Sequence, residues 1–313
     1  MTSFGDNEAE GEPEPSAVST ETAPLPRKPD WLRVRLTAGD SARGVADALS
    51  RHGLNTVCDE ARCPNKAECW GQATATFMIM GSVCTRGCRF CAVDTAKAGQ
   101  PLCAEEPREL ASAVVDLKLR YAVITSVDRD DLPDRGAAHF AACISAIRAR
   151  ESAIRIEVLA PDYQEGEIEA LLGASPDVFG HNVETVRRLQ TIRDHRAAYS
   201  ISLHTLTLAS KWAGANSGIP VVKSSLLLGV GERREEVLET MDDLRKAGVT
   251  SLVLGQYLRP TSRQVPVIEY IPPDSFASYR RSALEKGFVS VVSAPLARTS
   301  YHARSSFEEG SAR

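Results

Sequence analysis

The sequence lacks an apolar run of membrane-spanning length, and its first residues are acidic rather than apolar. A transmembrane helix needs about 20 consecutive, mostly apolar residues, and a secretory signal needs an apolar core close to the start. We therefore expect neither a membrane anchor nor a signal peptide. The acidic start also argues against a transit peptide, since these segments are rich in arginine and poor in acids.

Basic residues are missing from residues 1–26, which hold six acids and no Lys or Arg. This stretch is also rich in Pro, Ser and Thr and poor in large apolar residues, so we predict a disordered acidic tail over residues 1–28. The whole chain carries a formal charge of −4, and the part after residue 26 sums to +2. That near balance gives no electrostatic support for nucleic-acid binding. With 43% hydrophobic and 25% charged residues, the rest of the chain is globular in composition.

Histidine is absent from the short region that holds six of the eight cysteines. These six form an upstream triplet (Cys58, Cys63 and Cys69) and a downstream triplet (Cys84, Cys88 and Cys91). Their spacings, C-x4-C-x5-C and C-x3-C-x2-C, do not give the four closed ligands of structural zinc. Disulfides are typical of small secreted domains, whereas 313 residues can bury a core without them. Both zinc and disulfides are therefore disfavoured.

Each triplet offers three thiolates and lacks a fourth. A cubane iron–sulfur cluster has four irons, so three cysteines leave one iron open to another ligand. The other two cysteines, Cys103 and Cys143, have no partner at ligand spacing, and we predict ordinary buried thiols.

Apolar, β-branched runs alternate with helical patterns along the rest of the chain. The predicted strands are Thr76–Met80, Tyr121–Thr125, Ile154–Leu159, Asp177–Gly180, Tyr199–Leu203, Val221–Leu228, Ser251–Leu254 and Phe288–Val292. The predicted helical faces are Leu110/Val114/Leu117, Phe140/Ile144/Ile147, Val237/Met241/Leu244 and Phe276/Tyr279/Ala283. Without a Gly-x-Gly-x-x-Gly motif, this order favours an α/β fold with a parallel sheet closed or partly closed into a barrel. An open, doubly wound sheet is the second possibility.

The downstream triplet begins just after the first predicted strand of the barrel. Loops that follow barrel strands lie at the carboxyl face, where such folds place their chemistry. We therefore expect Cys84, Cys88 and Cys91 at the mouth of the barrel, with Phe90 beside them. An open iron there would face the interior, where a small ligand with an amine and a carboxylate could chelate it.

The C-x3-C-x2-C motif with an aromatic residue before its last cysteine resembles the radical S-adenosylmethionine (SAM) superfamily. Together with the upstream C-x4-C-x5-C, it resembles the lipoyl synthase family within that superfamily. The resemblance runs from about residue 43 to residue 302. It is carried by residues 55–65, 125–132, 156–159, 182–185, 228–232 and 255–258.

The resemblance implies two 4Fe-4S clusters. Cys84, Cys88 and Cys91 would bind the cluster that cleaves SAM, and Cys58, Cys63 and Cys69 would bind an auxiliary cluster. The family's Arg-Ser-Ser-Tyr motif reads here as Arg298 to Tyr301, which implies Ser300 as the fourth ligand of the auxiliary cluster. We divide the chain accordingly into an auxiliary-cluster segment (29–73), a partial barrel (74–292) and a closing C-terminal segment (293–313).

The sequence departs from the family pattern at several positions. Ala294 and Ser225 stand where glycine is usual, and Thr299 replaces the first serine of the C-terminal motif. None of these is a cluster ligand, but they indicate a divergent member, so the carrier protein and acyl length are less well defined than the reaction class.

The resemblance implies insertion of two sulfur atoms at carbons 6 and 8 of an octanoyl group on a lysine of a lipoyl carrier domain. Each round would use one electron from a low-potential donor, such as ferredoxin or flavodoxin, to cleave SAM into methionine and a 5′-deoxyadenosyl radical. The carriers would be the acyltransferase components of 2-oxoacid dehydrogenases or the H protein of glycine cleavage. No nucleic-acid or membrane partner is expected, and exposed clusters imply a reducing cytoplasm, or an organelle matrix in a eukaryote.

Six further residues are candidate SAM contacts: Ser126, Asp128, Glu157, Asn182 and Lys223, which lie by strand ends, and Arg193, which could meet a carboxylate. For each, a loop hydrogen bond or an ion pair is an equally good interpretation. Two other functions stay open at this point. One is a different radical sulfur-inserting enzyme similar to biotin synthase, which would leave the upstream triplet unexplained. The other is a non-enzymatic iron–sulfur sensor or electron carrier, which would leave the barrel unexplained.

Overall fold

The structure is a computed structural model that describes residues 27–33, 40–63, 65–71, 76–216, 221–300, 303 and 307. Residues 1–26 of the predicted acidic tail lie outside this range, so the tail stays a prediction. The elements are α1 (Asp40–Arg51), β1 (Asn55–Thr56), α2 (Val57–Glu60), α3 (Lys66–Gly71), β2 (Thr76–Ile79), β3 (Val83–Cys84), β4 (Asp94–Thr95), α4 (Glu106–Asp116), β5 (Tyr121–Ser126), α5 (Ala137–Arg150), β6 (Arg155–Leu159), α6 (Glu165–Gly173), β7 (Val178–Gly180), α7 (Tyr199–Ala215), β8 (Val221–Leu228), α8 (Arg234–Lys246), β9 (Ser251–Gln256), α9 (Pro273–Glu285) and β10 (Ser290–Ala294).

The main sheet has the strand order β1-β2-β5-β6-β7-β8-β9-β10. β1 pairs antiparallel with β2, and every other pair in this sheet is parallel. Side chains from β2, β6, β8 and β9 line one common cavity, which a flat sheet would not allow. The sheet is therefore curved into a partial parallel barrel, as the sequence predicts.

The helices cover the outer face of this sheet with the predicted apolar positions. Leu110, Val114, Phe140, Ile144 and Ile147 are almost completely buried in the core between helices and strands. A helix in a parallel α/β fold is stabilised mainly by burial of such a stripe, since about 25 cal/mol is gained per Å² of apolar surface removed from water. The core thus lies outside the barrel wall and leaves the interior free for polar side chains.

The predicted strand at Tyr199–Leu203 is wrong, because these residues begin α7. The buried positions include Tyr199, Ser202, Leu206 and Ala209, and their spacing of three and four residues is that of a helix face. The predicted segment has only five residues, which is too short to show the helical period, and its β-branched and aromatic residues favour a strand. The other seven strands are confirmed to within two residues at each end, whereas the helices α1, α2, α3 and α6 were not predicted.

Within the described residues, no helix combines the length and the apolarity needed to cross a bilayer.

Candidate functional site

The downstream triplet lies at the carboxyl edge of the sheet. Cys84 ends β3, and Cys88 and Cys91 follow in the loop between β3 and β4. All three line a cavity of about 210 Å³, the downstream cavity, whose other walls come from the ends of β5, β6 and β7. The triplet therefore lies over the barrel mouth, as its position after β2 predicts.

Backbone amides point at two of these sulfurs. The N–H groups of Asp128 and Arg86 donate to Sγ of Cys84 at 3.3 and 3.4 Å, and the N–H of Asp194 donates to Sγ of Cys88 at 3.3 Å. Burial raises the pKa of both thiols to about 12, so without a cation they are protonated at neutral pH. An iron ion would reverse that preference and release the protons, while the amide donors stabilise the resulting thiolates.

A buried arginine fixes the cysteine loop to the barrel. The guanidinium of Arg86 contacts Asp130 at 2.9 Å and Asp128 at 3.5 Å, and its Nη1 also donates to Asp162. Asp162 lies only 2% exposed and accepts from Ser202 at 3.0 Å. This network joins the loop after β2 to the loops after β5 and β6, so the positions of the sulfurs depend on the whole carboxyl face.

Asp162 remains ionised in this network. Burial opposes its negative charge, but the interaction with His181 first, and then with the guanidinium groups of Arg193 and Arg86, holds the pKa of Asp162 well below its usual range. His181 is 3.0 Å from Asp162 and also contacts the carbonyl of Ala160 at 2.9 Å. The interpretation of His181 as a buried histidine with satisfied partners therefore agrees with the structure. Arg86 and Asp162 were missed, although charged residues directly after predicted strands or inside a cysteine motif are a usable signal.

A second anchor lies at the start of the cysteine loop. Met80 has a left-handed backbone (φ 67°), and its N–H donates to Oε2 of Glu106 at 2.9 Å. His139 contacts the same carboxylate oxygen at 2.6 Å, and Cys143 lies close enough that the three ligand atoms are within 4.8 Å of one another. Because Glu106 already bonds both Met80 and His139, we interpret the group as a structural anchor. Cys143 is buried as predicted, but Cys103 is exposed in the irregular segment before α4, so its prediction as a buried thiol is wrong.

Four predicted SAM contacts line the downstream cavity with the cysteines: Ser126, Asp128, Asn182 and Arg193. Among the described residues, Oγ of Ser126 and Nε of Arg193 are buried and have no hydrogen-bond partner. A buried polar atom without a partner is unfavourable by about 1–3 kcal/mol, which a polar ligand would recover. Three thiols and unsatisfied polar atoms on one cavity wall fit a cluster together with a ligand such as SAM.

Glu157 and Lys223 are not brought to this cavity. Nζ of Lys223 contacts Oε1 of Glu157 at 2.8 Å, with both side chains at most 3% exposed, and Tyr121 donates to Oε2 at 2.6 Å. They line a different cavity nearer the amino ends of the strands, where Ala303 and Phe307 of the C-terminal segment also lie. Both side chains face the barrel interior, but they lie nearer the amino ends of the strands than the cysteines do. Glu157 and Lys223 are therefore not placed to contact SAM in the downstream cavity.

The upstream triplet is positioned by two short helices. Thr56 caps α2, accepting from the N–H of Asp59 at 3.2 Å, and so places Cys58; Cys69 lies in α3. Cys63 joins them, and all three thiols line a cavity of about 450 Å³, the upstream cavity. Burial and the neighbouring sulfurs of Cys58 and Cys63 raise the pKa of Cys69 to about 12, which indicates that the three groups lie within electrostatic reach.

The C-terminal segment reaches the same cavity. Asn65, 1% exposed, donates to the carbonyl of Leu296 at 2.7 Å, and the N–H of Gln256 donates to that of Pro295 at 3.2 Å. These bonds lead the chain over β9 so that Ser300 lines the upstream cavity with the three cysteines. Three thiols and one alcohol oxygen from distant parts of the chain therefore share one cavity, a donor set that fits a four-iron cluster.

Gly255 in β9 makes this approach possible. A Cβ at this position would lie 2.1 Å from the carbonyl oxygen of Ala297, well inside the contact distance. We expect Gly255→Ala to push the C-terminal segment off the barrel and to lower the free energy of unfolding by about 1–3 kcal/mol, as overpacking does. Urea unfolding of the two proteins measures the difference. Gly214→Ala is the matched control, because nothing lies within 4 Å of a Cβ there and alanine favours the helix. Equal stability of the Gly255 variant and wild type would contradict the expectation.

The two cavities share a wall. Seven residues line both of them: Val57, Ala61, Phe90, Cys91, Leu159, Asn182 and Glu184. The apolar part of this wall is Val57, Ala61, Phe90 and Leu159. Asn182 and Glu184 are the polar part, joined by a hydrogen bond of 3.1 Å. The two cysteine triplets therefore face adjoining spaces over a single barrel mouth.

Comparisons with known proteins agree with this geometry. Residues 78–255 match the family model described as "Radical SAM superfamily". The chain is 49% identical over 297 residues to a lipoyl synthase of Marinobacter nauticus, covering 94% of this chain and 84% of that protein. It is 50% identical over 284 residues to a lipoyl synthase of Methylococcus capsulatus, covering 90% and 86%. A methylornithine synthase structure superposes with a TM-score of 0.55 at 12% identity, covering 69% of this chain and 63% of that one, which supports the fold.

Proposed function

Because the chain belongs to the lipoyl synthase family of the radical SAM superfamily, we propose that its two triplets bind two 4Fe-4S clusters with separate roles. The chain is a radical SAM sulfur-inserting enzyme that converts an octanoyl group on a carrier-protein lysine into a lipoyl group by adding sulfur at carbons 6 and 8. The roles of individual residues below are proposals within that activity.

In the downstream cavity, Cys84, Cys88 and Cys91 would bind three irons of the first cluster. Once in place, this cluster and SAM supply the radical chemistry that removes hydrogen from an unactivated alkyl carbon, which acid–base groups cannot do. The side chains of Ser126 and Arg193 would receive the polar end of SAM with their unpartnered atoms, Oγ and Nε. Asn182 and Asp128 line the same cavity and would help to orient the bound SAM.

In the upstream cavity, Cys58, Cys63, Cys69 and Ser300 would bind the second cluster, which is a substrate because its sulfides are the atoms inserted. An alcohol oxygen is a harder and less natural ligand for this iron than a thiolate, so Ser300 suits a cluster that is taken apart. The observation that carries this proposal is the shared cavity of the four donors, which adjoins the downstream cavity.

The carrier would be a lipoyl domain of a 2-oxoacid dehydrogenase or of the glycine cleavage system, with ferredoxin or flavodoxin as the electron donor. We propose the cytoplasm as its location, since thiols and clusters persist under reducing conditions.

Anaerobic measurement of iron and sulfide in the reconstituted chain tests the proposal. Two cubane clusters predict about eight irons per chain, and about four would reject the second cluster. Incubation with SAM, reductant and an octanoyl-lysine peptide should then give a dithiolated peptide, detected by mass spectrometry. Full iron content without sulfur insertion would instead point to another acyl substrate.

A further inference from the structure

Two hydroxyl side chains meet beside the proposed fourth ligand. Oγ of Ser225, in β8, lies 3.0 Å from Oγ1 of Thr299, the residue before Ser300. The amide nitrogen of Asn182 donates to the same Thr299 oxygen at 3.1 Å. All of these residues line the upstream cavity.

We propose that Ser225, Thr299 and Asn182 form a positioning group, the hydroxyl clamp, that fixes Ser300 in reach of the upstream cluster. The inference rests on the proposed function, because it takes Ser300 as a cluster ligand. The three residues act through Ser300 and do not bind iron themselves.

The clamp is the last anchor of the chain before Ser300. The bond from Asn65 ends at Leu296, and the close contact with Gly255 ends at Ala297. Among the described residues, the guanidinium of Arg298 donates a hydrogen bond only to the carbonyl of its neighbour Ala297, at 2.6 Å. Without the clamp, no hydrogen bond of the described residues would join Arg298, Thr299 and Ser300 to the strands of the barrel. A ligand oxygen must be placed within a few tenths of an ångström, so the clamp decides whether Ser300 is in place.

The contact depends on the residue types at both positions. A glycine at position 225 would have no oxygen to offer, whereas serine supplies one to the hydroxyl of Thr299. Threonine also has a restricted χ1, which helps to hold its oxygen toward both partners. The two hydroxyl side chains therefore act as a pair.

Asn182 connects the clamp with the downstream cavity, which it also lines. Its amide nitrogen is shared between Thr299 and Glu184, each at 3.1 Å. The position of Ser300 is thus tied to the wall on which we propose that SAM binds.

Hydrogen exchange and iron release test the clamp in the full-length, reconstituted chain. The variants are Thr299→Val, Ser225→Ala and the double variant, with Thr299→Ser as the conservative replacement. Thr240→Val is the matched control, because its hydroxyl, which donates to the carbonyl of Glu236 at 2.8 Å and lies beside Tyr199, is outside both cavities. Deuterium uptake is followed in peptides covering residues 295–300, and iron loss is followed with a chelator under anaerobic conditions.

Ser225→Ala removes one hydroxyl hydrogen bond and should raise exchange in residues 295–300 by about fivefold. Thr299→Val removes the bonds to both Ser225 and Asn182 and should raise exchange by at least as much. The double variant should show less than the product of the two effects, because both changes remove the same contact. The upstream half of the iron should leave faster while the downstream half keeps its wild-type rate, and Thr299→Ser should restore both readings. If the clamp only stabilised the fold, its loss would speed iron release from both clusters alike.

Exchange in Thr299→Val equal to that of Thr240→Val would overturn the clamp, as would parallel loss of both clusters or failure of Thr299→Ser to restore the wild-type values. The exchange measurement tests the clamp independently of whether Ser300 is a cluster ligand. If Ser300 is not a cluster ligand, Ser300→Ala will leave the resistance of the upstream iron to the chelator unchanged.

Discussion

Replacing Ser300 with alanine should abolish sulfur insertion and leave SAM cleavage at its wild-type rate. The downstream triplet lines its own cavity, to which Ser300 does not contribute, whereas Ser300 lines the upstream cavity. We expect the yield of dithiolated peptide to fall by more than about 100-fold, since even an outer partner of a metal ligand contributes 10–100-fold. Mass spectrometry measures the peptide, and chromatography of 5′-deoxyadenosine measures SAM cleavage in the same reaction.

Two variants sharpen this result. Ser293→Ala removes a serine of β10 that donates to the carbonyl of Phe276 at 2.8 Å, outside both cavities, and should behave as wild type. Ser300→Cys supplies a thiolate, a more natural ligand for this iron, and should keep the upstream iron while slowing sulfur release. Full dithiolation by Ser300→Ala would rule out the proposed ligand role, and loss of SAM cleavage would show that the two sites are not separable.

Replacing Asp162 with alanine should destabilise the fold by about 3–5 kcal/mol, the cost of breaking a buried ion pair on one side. The carboxylate is 2% exposed and faces Arg86, Arg193 and His181. Its removal leaves the two buried guanidinium groups without this counter-charge and His181 without this hydrogen-bond partner. Urea unfolding of the metal-free chain measures the loss. Asp242→Ala is the control, since its ion pair with Lys286 at 2.6 Å is half exposed and contributes about 0–1 kcal/mol. Similar midpoints for the two variants would contradict a central role for Asp162.

The effect of Asp162 should also depend on pH in a defined direction. Its folded-state pKa lies below the value of about 3.9 that an unfolded aspartate has, because cations surround it. Its ionised form therefore stabilises the fold above about pH 4, and that contribution is lost as the pH falls from there toward the folded-state pKa. The stability difference between wild type and Asp162→Ala should shrink below about pH 4, and a constant difference would exclude this origin.

The chemistry-bearing residues could be read from the sequence because their signals are local. Two cysteine spacings and one strand placed the downstream triplet at the barrel mouth, and Ser126, Asp128, Asn182 and Arg193 follow strands or loops at the same edge. The depth of a side chain inside the barrel is not local. Glu157 and Lys223 face the interior as expected, but they pair with each other below the cysteines because the curvature of the sheet brings β6 and β8 across from one another.

The helix α7 and the buried ion network were hidden for a related reason. Tyr199–Leu203 matches a strand over five residues, and only the burial of Leu206 and Ala209 further along reveals the helical period. Arg86 and Asp162 are 76 residues apart, so nothing near either one indicates their contact. The Ser225–Thr299 contact is similar: each departure is visible in the sequence, but their meeting is a property of the folded barrel.

Two described residues beyond Ser300, Ala303 and Phe307, also contact the barrel. Ala303 is 5% exposed and packs with Tyr121 and Val123, and the ring of Phe307 lies 6.2 Å from that of Tyr121. Ser300 thus lies between two anchored positions of the chain, Thr299 and Ala303. Anchoring of this kind gives a ligand a high effective concentration without strengthening the bond itself. The alcohol oxygen is thereby available to each newly installed cluster, although the same alcohol free in solution would not compete for iron.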